Sequence, residues 1–210
     1  MAQYSRAPET RRMGPGVPLD LLLLGVQGSG KGTQAKRLAA EYGLAHIATG
    51  DMLRTAIAAG TPLGLRVKPI YDAGDLVPDD LMIELIRERL SQSDTEAGFV
   101  LDGFPRTMPQ ADALDAMLVE IDRPLVVVLE LQVPDDVALA RLRKRAVDEG
   151  RSDDTPDAIT KRIELYHELT KPLVSHYRLA GNLVGIHGDR PENEVFGEIQ
   201  QAIEQTQVLS

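Results

Sequence analysis

A glycine-rich loop directly after a leucine-rich run constrains the fold of this chain more than any other feature. The run Leu19–Leu24 is typical of a strand that is buried on both faces of a parallel sheet. Gly25, Gly30 and Lys31 then satisfy the pattern G-x-x-x-x-G-K, and a helical pattern follows over Thr33–Tyr42. A strand, a glycine loop and a helix in this order form the context of a phosphate-binding loop. The sequence therefore predicts that this loop binds the phosphates of a nucleotide.

The residue types in the loop suit contact with phosphate oxygens. Glycines let backbone N–H groups turn inward around an anion without a Cβ clash, and the next helix adds its positive N-terminal end. Lys31 supplies a compact cation for the terminal phosphates. Gly32 stands where a serine or threonine usually follows the lysine, and Thr33 comes one position later. The alternative is a plain glycine-rich turn with a surface lysine, which the flanking strand and helix disfavour.

Apolar runs alternate with helical patterns along the rest of the chain. The other predicted strands are a weaker candidate at Ala45–Ile47 and three runs at Phe99–Leu101, Leu125–Leu131 and Leu183–Ile186. The other predicted helices cover residues 79–92, 108–119, 134–147, 156–179 and 192–206. Strands separated by helices indicate an α/β fold, here a three-layer, doubly wound parallel sheet of about five strands.

The composition excludes several classes of protein. The chain has 210 residues, enough for one substantial core, and a net charge of −9, which argues against a general nucleic-acid binder. It contains no cysteine, so disulfides and cysteine-ligated zinc are excluded. No apolar run approaches the roughly 20 residues of a membrane-spanning helix, and no signal peptide is evident. We therefore expect a cytoplasmic protein that binds neither membrane nor nucleic acid.

Three segments depart from the α/β alternation. Residues 1–18 hold three prolines and two glycines without a helical or strand period, and they are predicted to be a disordered extension. Residues 49–77 are helical, with glycines at 60, 64 and 74, and are predicted to form a helical insertion. Residues 146–155 are polar and are predicted to form a loop between two helices. The two internal segments, 49–77 and 146–155, could be mere surface connections, but segments of this length are more often functional.

Three motifs resemble the nucleoside monophosphate kinases, and among these the adenylate kinases. They are Gly28–Gln34, Thr49–Arg54, and Leu101–Thr107 followed by Gln110. The resemblance extends from about Leu19 to near residue 205 and implies in-line transfer of a γ-phosphoryl group from MgATP to AMP, giving two ADP. It also implies a monomer whose P-loop core comprises residues 19–48, 78–144 and 156–210. Residues 49–77 would be a helical insertion that binds the nucleoside monophosphate (NMP), and residues 145–155 a short lid.

The resemblance also assigns the residues of the site. The ATP side would comprise Gly28, Ser29, Gly30, Lys31, Gly32, Thr33, Arg141 and Arg145. The AMP side would comprise Thr49, Arg54, Leu76, Val77, Gly103, Arg106, Gln110, Arg151 and Arg162. The residues implied to stabilise the transferring phosphates are Lys31, Arg106, Arg145, Arg151 and Arg162. Asp102 would hold the cofactor Mg²⁺ through water.

The chemistry of these residue types agrees with the implied roles. Phosphoryl transfer needs neutralised negative charge rather than covalent catalysis, and guanidinium groups bind phosphate bidentately. Any one arginine alone is better explained as a surface charge, whereas a set of arginines in an acidic chain favours a shared anionic ligand. Asp102 ends a predicted strand, where ligands of α/β sheets bind, although a simple Asp-Gly turn would also explain it.

Three other acidic residues have two explanations each. Asp51 lies near the site by resemblance, or it caps the N-terminus of a helix. Asp153 and Asp154 pair with arginines of the short lid and hold them in position, or they are acids at the start of the helix that begins at Pro156. The sequence leaves these alternatives open.

The acceptor base is predicted from two side chains. Gln110 offers a donor and an acceptor that match the edge of adenine, and Thr49 occupies the threonine position of the adenylate kinases. Pyrimidine monophosphate kinases carry alanine there, so AMP is favoured over CMP or UMP. A UMP/CMP kinase is the first alternative, and a P-loop protein that binds nucleotide without transferring phosphate is the second. Gln27 and Ala48 depart from the family, which usually has proline and often serine at these positions.

Overall fold

The computed structural model describes residues 18–208 except residues 124, 126 and 152. In this part of the chain, β-strands lie at Leu19–Leu24 (β1), Ala45–Ala48 (β2), Gly98–Asp102 (β3), Val127–Gln132 (β4) and Leu183–His187 (β5). α-Helices lie at Lys31–Tyr42 (α1), Thr49–Ala58 (α2), Pro62–Asp72 (α3), Asp79–Leu90 (α4), Met108–Glu120 (α5), Asp135–Glu149 (α6), Pro156–Leu165 (α7), Pro172–Ala180 (α8) and Glu192–Val208 (α9). Apart from Pro18, the predicted extension of residues 1–18 lies outside the described residues.

The strands form one parallel sheet in the order β2-β3-β1-β4-β5. β1 pairs with β3, from Leu19 opposite Gly98 to Leu23 opposite Asp102. Because all the strands run in the same direction, their carboxyl ends meet at one edge of the sheet, where ligands of open α/β sheets bind. The phosphate loop that follows β1 and Asp102 at the end of β3 are thereby brought to the same edge.

The sheet is buried on both faces because alternate side chains of β1 enter two different cores. Leu22 and Leu24 belong to a cluster with side chains of α4, α5 and α8, whereas Leu19, Leu21 and Leu23 belong to a second cluster with side chains of α1 and α9. These five leucines are at most 3 % exposed. The α/β class and the three-layer, five-stranded parallel sheet predicted from the sequence are confirmed.

Two predicted boundaries differ from the structure. Residues 146–149 are the last turn of α6 rather than a loop, and the connection to α7 begins at Gly150, whose left-handed conformation (φ 60°) ends the helix. The single helix predicted over residues 156–179 is divided, because a π-helical turn at Tyr166–Thr170 separates α7 from α8. α8 begins at Pro172, which lacks the N–H donor that a continuous helix would need.

Residues 49–77 contain α2 and α3, as the helical pattern predicts. α2 starts immediately after β2, so its first turn lies at the carboxyl edge of the sheet. α3 packs closely on α2 at Gly64, where a Cβ atom would lie 2.0 Å from the carbonyl oxygen of Ala56. Over the described part of the chain, none of the helices combines the length and the apolar character needed to cross a membrane.

Candidate active site

A cleft of about 500 Å³ opens at the carboxyl edge of the sheet. The phosphate loop, the helical insertion, the end of β3, α6 and α7 all contribute side chains to it. Every site residue predicted from the sequence lines this cleft except Ser29. Ser29 is 1 % exposed and its hydroxyl is buried, so its side chain does not face the cleft.

The phosphate loop, Gly25–Gly30, approaches α6 more closely than any side chain would allow. Gly28 has a φ of +84°, and a Cβ atom on it would lie 2.5 Å from the carbonyl oxygen of Ala138. Gly30 is the N-cap residue of α1, also with positive φ, and it adds no side chain in front of the helix N-terminus. The backbone N–H groups at the start of α1 can therefore bind an anion in the cleft.

Lys31 folds back onto the loop that precedes it. Its Nζ donates hydrogen bonds to the carbonyl oxygens of Gly25 at 2.6 Å and of Val26 at 2.9 Å. Burial lowers the pKa of Lys31 to about 8, because the charged ammonium loses its water, and the charge of Asp102 only partly opposes this effect. A phosphate anion in the cleft would favour the charged form of the lysine.

Asp102 faces the start of α1 from the end of β3. Its Oδ2 lies 4.0 Å from Nε2 of His46, whose pKa is lowered by burial. A Cβ atom on Gly32 would lie 3.3 Å from the same carboxylate oxygen. A side chain at position 32 would therefore crowd Asp102. This explains why glycine stands here instead of the serine or threonine that usually follows the lysine of a phosphate loop.

Arg106 is held in the cleft by backbone groups. Its Nε donates to the carbonyl oxygen of Gly103 at 2.8 Å, and its own carbonyl accepts a hydrogen bond from Thr170 Oγ1 at 2.9 Å. Arg106 forms no ion pair with any residue that the structure describes. Burial and the nearby charge of Arg162 lower the pKa of Arg106, although a guanidinium group stays protonated in proteins. Its charge is therefore available to a phosphate.

Arg54 of α2 is held by two side chains of the helical insertion. It donates to the Tyr71 hydroxyl at 2.5 Å and pairs with Asp51 in the first turn of the same helix. The N-cap residue of α2 is Ala48, so Asp51 does not cap the helix, and the capping explanation is wrong. Tyr71 was not identified as a site residue from the sequence. It belongs to none of the three motifs, and the helical pattern of this segment gives no sign that its hydroxyl contacts Arg54.

Buried carboxylates hold the arginines around residues 145–155, the predicted short lid. Asp154 accepts hydrogen bonds from Arg145 at 2.8 and 2.9 Å and from Arg162 at 3.0 Å. Asp153 accepts one from Arg162 at 3.1 Å. Both aspartates are 4 % exposed. Burial alone would raise the pKa of Asp153, but the charge and hydrogen bond of Arg162, the charge of Arg54 and a hydrogen bond from Tyr71 together outweigh it, and the pKa is lowered. The predicted pairing of these aspartates with arginines is confirmed.

The two remaining predicted arginines also have partners. Arg151 pairs with Glu149 at 2.6 Å. Arg141 donates to the carbonyl oxygen of Gly188 at 3.0 Å and, at 3.4 Å, to that of Ser29 in the phosphate loop. Arg141 therefore ties α6 to the loop that precedes α1.

Gln110 also lines the cleft and is 2 % exposed. Its Oε1 accepts a hydrogen bond from the backbone N–H of Arg106 at 2.8 Å, and its Nε2 donates to Asp79 Oδ1 at 2.7 Å. Thr49 lines the cleft as well and is 1 % exposed; its Oγ1 donates to the carbonyl oxygen of Asp102 at 3.4 Å. Sequence reasoning missed Asp79, since the acids that open a helix are usually explained by the helix dipole alone.

Comparisons with known proteins agree with this geometry. The chain matches the family described as adenylate kinase over residues 23–182. A protein named adenylate kinase from Cyanothece sp. is 48% identical over 185 residues, which cover 88% of this chain and 95% of that protein. Another from Stenotrophomonas maltophilia is 45% identical over 183 residues, covering 87% and 98%. A third, from Nitrobacter hamburgensis, is 44% identical over 191 residues, covering 88% and 92%. This chain therefore belongs to the adenylate kinase family.

Proposed function

We propose that the protein transfers the γ-phosphoryl group of MgATP reversibly to AMP and so forms two molecules of ADP. One observation carries the proposal: cationic side chains from several elements line a single cleft in a chain whose net charge is −9. These side chains include the predicted site residues Lys31, Arg54, Arg106, Arg141, Arg145, Arg151 and Arg162. Phosphoryl transfer concentrates negative charge, and its catalysis rests mainly on positioning and electrostatic stabilisation.

On the donor side, the phosphate loop and the N-terminus of α1 bind the phosphates of ATP through backbone N–H groups. Lys31 exchanges its two carbonyl partners for phosphate oxygens, which form stronger, charge-assisted hydrogen bonds. Arg141 and Arg145 lie on the same face of α6, four residues apart, and contact the phosphates of the nucleotide from beside the phosphate loop.

On the acceptor side, Arg54 and Arg106 bind the phosphate of AMP. Gln110 and Thr49 contact the adenine base, with Leu76 and Val77 on the same side of the cleft. Arg151 and Arg162 come from the short lid and from α7 and stabilise the phosphoryl group between the two nucleotides. The support for these roles is the common cleft and the spacing of the three motifs.

The residues at the edge of the sheet fit a Mg²⁺ ion that enters with ATP. Mg²⁺ usually keeps several waters and takes one or two carboxylates together with phosphate oxygens. Asp102 would supply such a carboxylate beside the phosphate loop, and Gly32 places no side chain between the loop and this carboxylate. When bound, the ion neutralises charge on the β- and γ-phosphates.

We also propose that the helical insertion and the short lid close over the two nucleotides. Water competes with AMP for the γ-phosphoryl group, and closure would exclude it while completing the set of arginines. Hydrolysis of ATP without AMP is therefore expected to be far slower than transfer to AMP. Hydrolysis as fast as transfer would contradict closure.

Turnover with AMP, dAMP, CMP and UMP at fixed MgATP tests the proposed function. AMP is expected to be the best acceptor, because Gln110 and Thr49 suit adenine. A preference for CMP or UMP would instead support a UMP/CMP kinase. Nucleotide binding without transfer to any of these acceptors would indicate a non-catalytic P-loop protein. Light scattering of the same samples checks the proposal that the protein is a monomer.

A further inference from the structure

The side-chain amide of Gln110 lies between two groups of opposite hydrogen-bonding character. The backbone N–H of Arg106 can only donate, and it contacts Oε1; the carboxylate of Asp79 accepts, and it contacts Nε2. Rotating the amide by 180° would place two acceptors together at Asp79 and two donors together at Arg106. The orientation of the Gln110 amide is therefore set by its neighbours.

Asp79 is itself held in place. The Thr107 hydroxyl donates to the same Asp79 oxygen at 3.0 Å and accepts a hydrogen bond from the backbone N–H of Gln110 at 3.3 Å. Asp79 also lies in the first turn of α4, where the helix dipole favours a negative charge. Because Gln110 is 2 % exposed, little water is available to satisfy a reversed amide, and the reversed orientation is costly.

We propose that Asp79 is a positioning residue that determines which purine edge the acceptor site takes; this rests on the proposed function, in which Gln110 meets the acceptor base. After these two contacts, Gln110 retains one lone pair on Oε1 and one N–H on Nε2. In the fixed orientation they match the 6-amino donor and the N1 acceptor of adenine. A 6-oxopurine presents an acceptor at O6 and a donor at N1, and it would require the reversed amide, which Asp79 and the backbone N–H of Arg106 both oppose.

AMP and inosine monophosphate (IMP) test this role, since IMP reverses the base edge without adding a 2-amino group. The wild-type protein is expected to favour AMP by more than about 100-fold in kcat/KM, because a buried, oriented hydrogen-bonding pair rejects a mismatched partner strongly. Asp79→Asn substitutes an amide that can pair with either orientation of Gln110. The ratio of AMP to IMP should then fall at least about tenfold, chiefly through a lower KM for IMP.

Asp80→Asn is the matched control. It makes the same change of charge in the same turn of α4, at an exposed residue, and should leave the ratio within about twofold of wild type. Asp79→Ala is a second variant that removes the acceptor altogether, and it too should lower the ratio. The thermal unfolding of each variant is measured alongside its kinetics.

Equal losses with AMP and IMP in the Asp79 variants, leaving the ratio unchanged, would indicate a structural role only and overturn the proposal. If neither variant folds, the wild-type ratio decides, since a value under about tenfold would show that Gln110 accepts both edges. If the Asp79 variants transfer phosphate to AMP with an unchanged ratio of AMP to IMP, the role of Asp79 is rejected and the proposed function still stands. A wild-type protein that transfers phosphate to no acceptor would overturn the proposed function and this inference together.

Discussion

The cations of the core and those around the helical insertion and the short lid are held in different ways. Lys31, Arg106 and Arg141 donate to backbone carbonyl oxygens. In contrast, the cations in or beside the insertion and the lid pair with carboxylates: Arg54 with Asp51, Arg145 with Asp154, Arg151 with Glu149, and Arg162 with both Asp153 and Asp154. Carbonyl oxygens carry only partial charge, so the core cations keep most of their positive potential.

This difference separates two ways of preparing a site for phosphate. The core cations attract anions directly, and removing one should cost activity while the fold survives. The arginines around the lid are neutralised by their partners, which position them but must share them with an incoming phosphate. Removing a buried partner such as Asp154 should therefore cost stability as well as activity.

Lys31→Met should have the largest effect. It tests whether the core cations contribute to activity without stabilising the fold. The value of kcat should fall about a thousandfold, because a cation that stabilises the transferring phosphates is lost. The midpoint of thermal unfolding at pH 7 should not fall, because the methionine avoids the burial of an ammonium. Lys68→Met, at an exposed lysine of α3 that pairs with Asp72, is the control and should keep wild-type activity. Activity of Lys31→Met within tenfold of wild type would refute the role of Lys31.

Arg106→Ala should lower kcat/KM for AMP by about a hundredfold, since its guanidinium is proposed to bind the acceptor phosphate. The free energy of unfolding should change little, because no carboxylate loses its partner. Arg87→Ala removes an exposed arginine that pairs with Glu120 at 2.8 Å and serves as the control in both assays. A large loss of stability in Arg106→Ala with normal kinetics would show that Arg106 stabilises the fold and does not bind the acceptor phosphate.

Asp154→Ala should lower stability strongly and activity only moderately, the opposite of what is expected for Arg106→Ala. It leaves Arg145 and Arg162 without their shared buried carboxylate, and the free energy of unfolding should fall by about 3–5 kcal/mol. The value of kcat should fall only about tenfold, through lost positioning of the two arginines. Glu149→Ala, at the exposed partner of Arg151, should change stability by less than about 0.5 kcal/mol. Denaturant unfolding measures the free energy of unfolding of both variants. Equal values would show that the buried carboxylate of Asp154 contributes no more to stability than the exposed one of Glu149.

The pH dependence should show the smallest effect. Burial lowers the pKa of Lys31 from 10.5 to about 8, so the free protein loses this charge as the pH rises past 8. The value of kcat/KM for ATP should therefore fall about fourfold between pH 7 and pH 8.5, whereas kcat should fall less because bound phosphate favours the charged lysine. In Lys31→Arg, kcat/KM should be lower but flat over this range, since arginine does not titrate. A wild-type profile as flat as that of Lys31→Arg would contradict the assignment.

The same pKa shift has a defined consequence for stability. The folded protein releases the Lys31 proton near pH 8, whereas the unfolded chain keeps it until about pH 10.5. Because the unfolded state binds more protons between these values, the contribution of Lys31 to stability rises with pH across this window. Below pH 8 the full cost of burying the charge is present, which is why Lys31→Met should not be less stable at pH 7.

Much of the fold and of the donor site could be predicted from the sequence, because local chemistry determines them. Leu19–Leu24 alone indicated a doubly buried strand, and the glycines after it permit backbone conformations that other residues avoid. The start of α2 at Thr49 and the end of β3 at Asp102 also followed from local patterns. All predicted site residues except Ser29 line one cleft. Those of the three motifs do so because each motif lies at the end of a strand and parallel strands end at one edge of the sheet.

The partners of the charged and amide groups were decided only by the tertiary structure. Arg54 meets Tyr71 across 17 positions of sequence, and Gln110 meets Asp79 across 31. No periodicity encodes such pairs, because they depend on how helices pack and on which side chains lose their water. The sequence by itself determined that cations and a phosphate loop would share a site. The tertiary packing of the helices decided which cations meet only backbone carbonyl oxygens and which are neutralised by carboxylates, because a buried charge needs a polar partner and only the packing determines which partner is within reach.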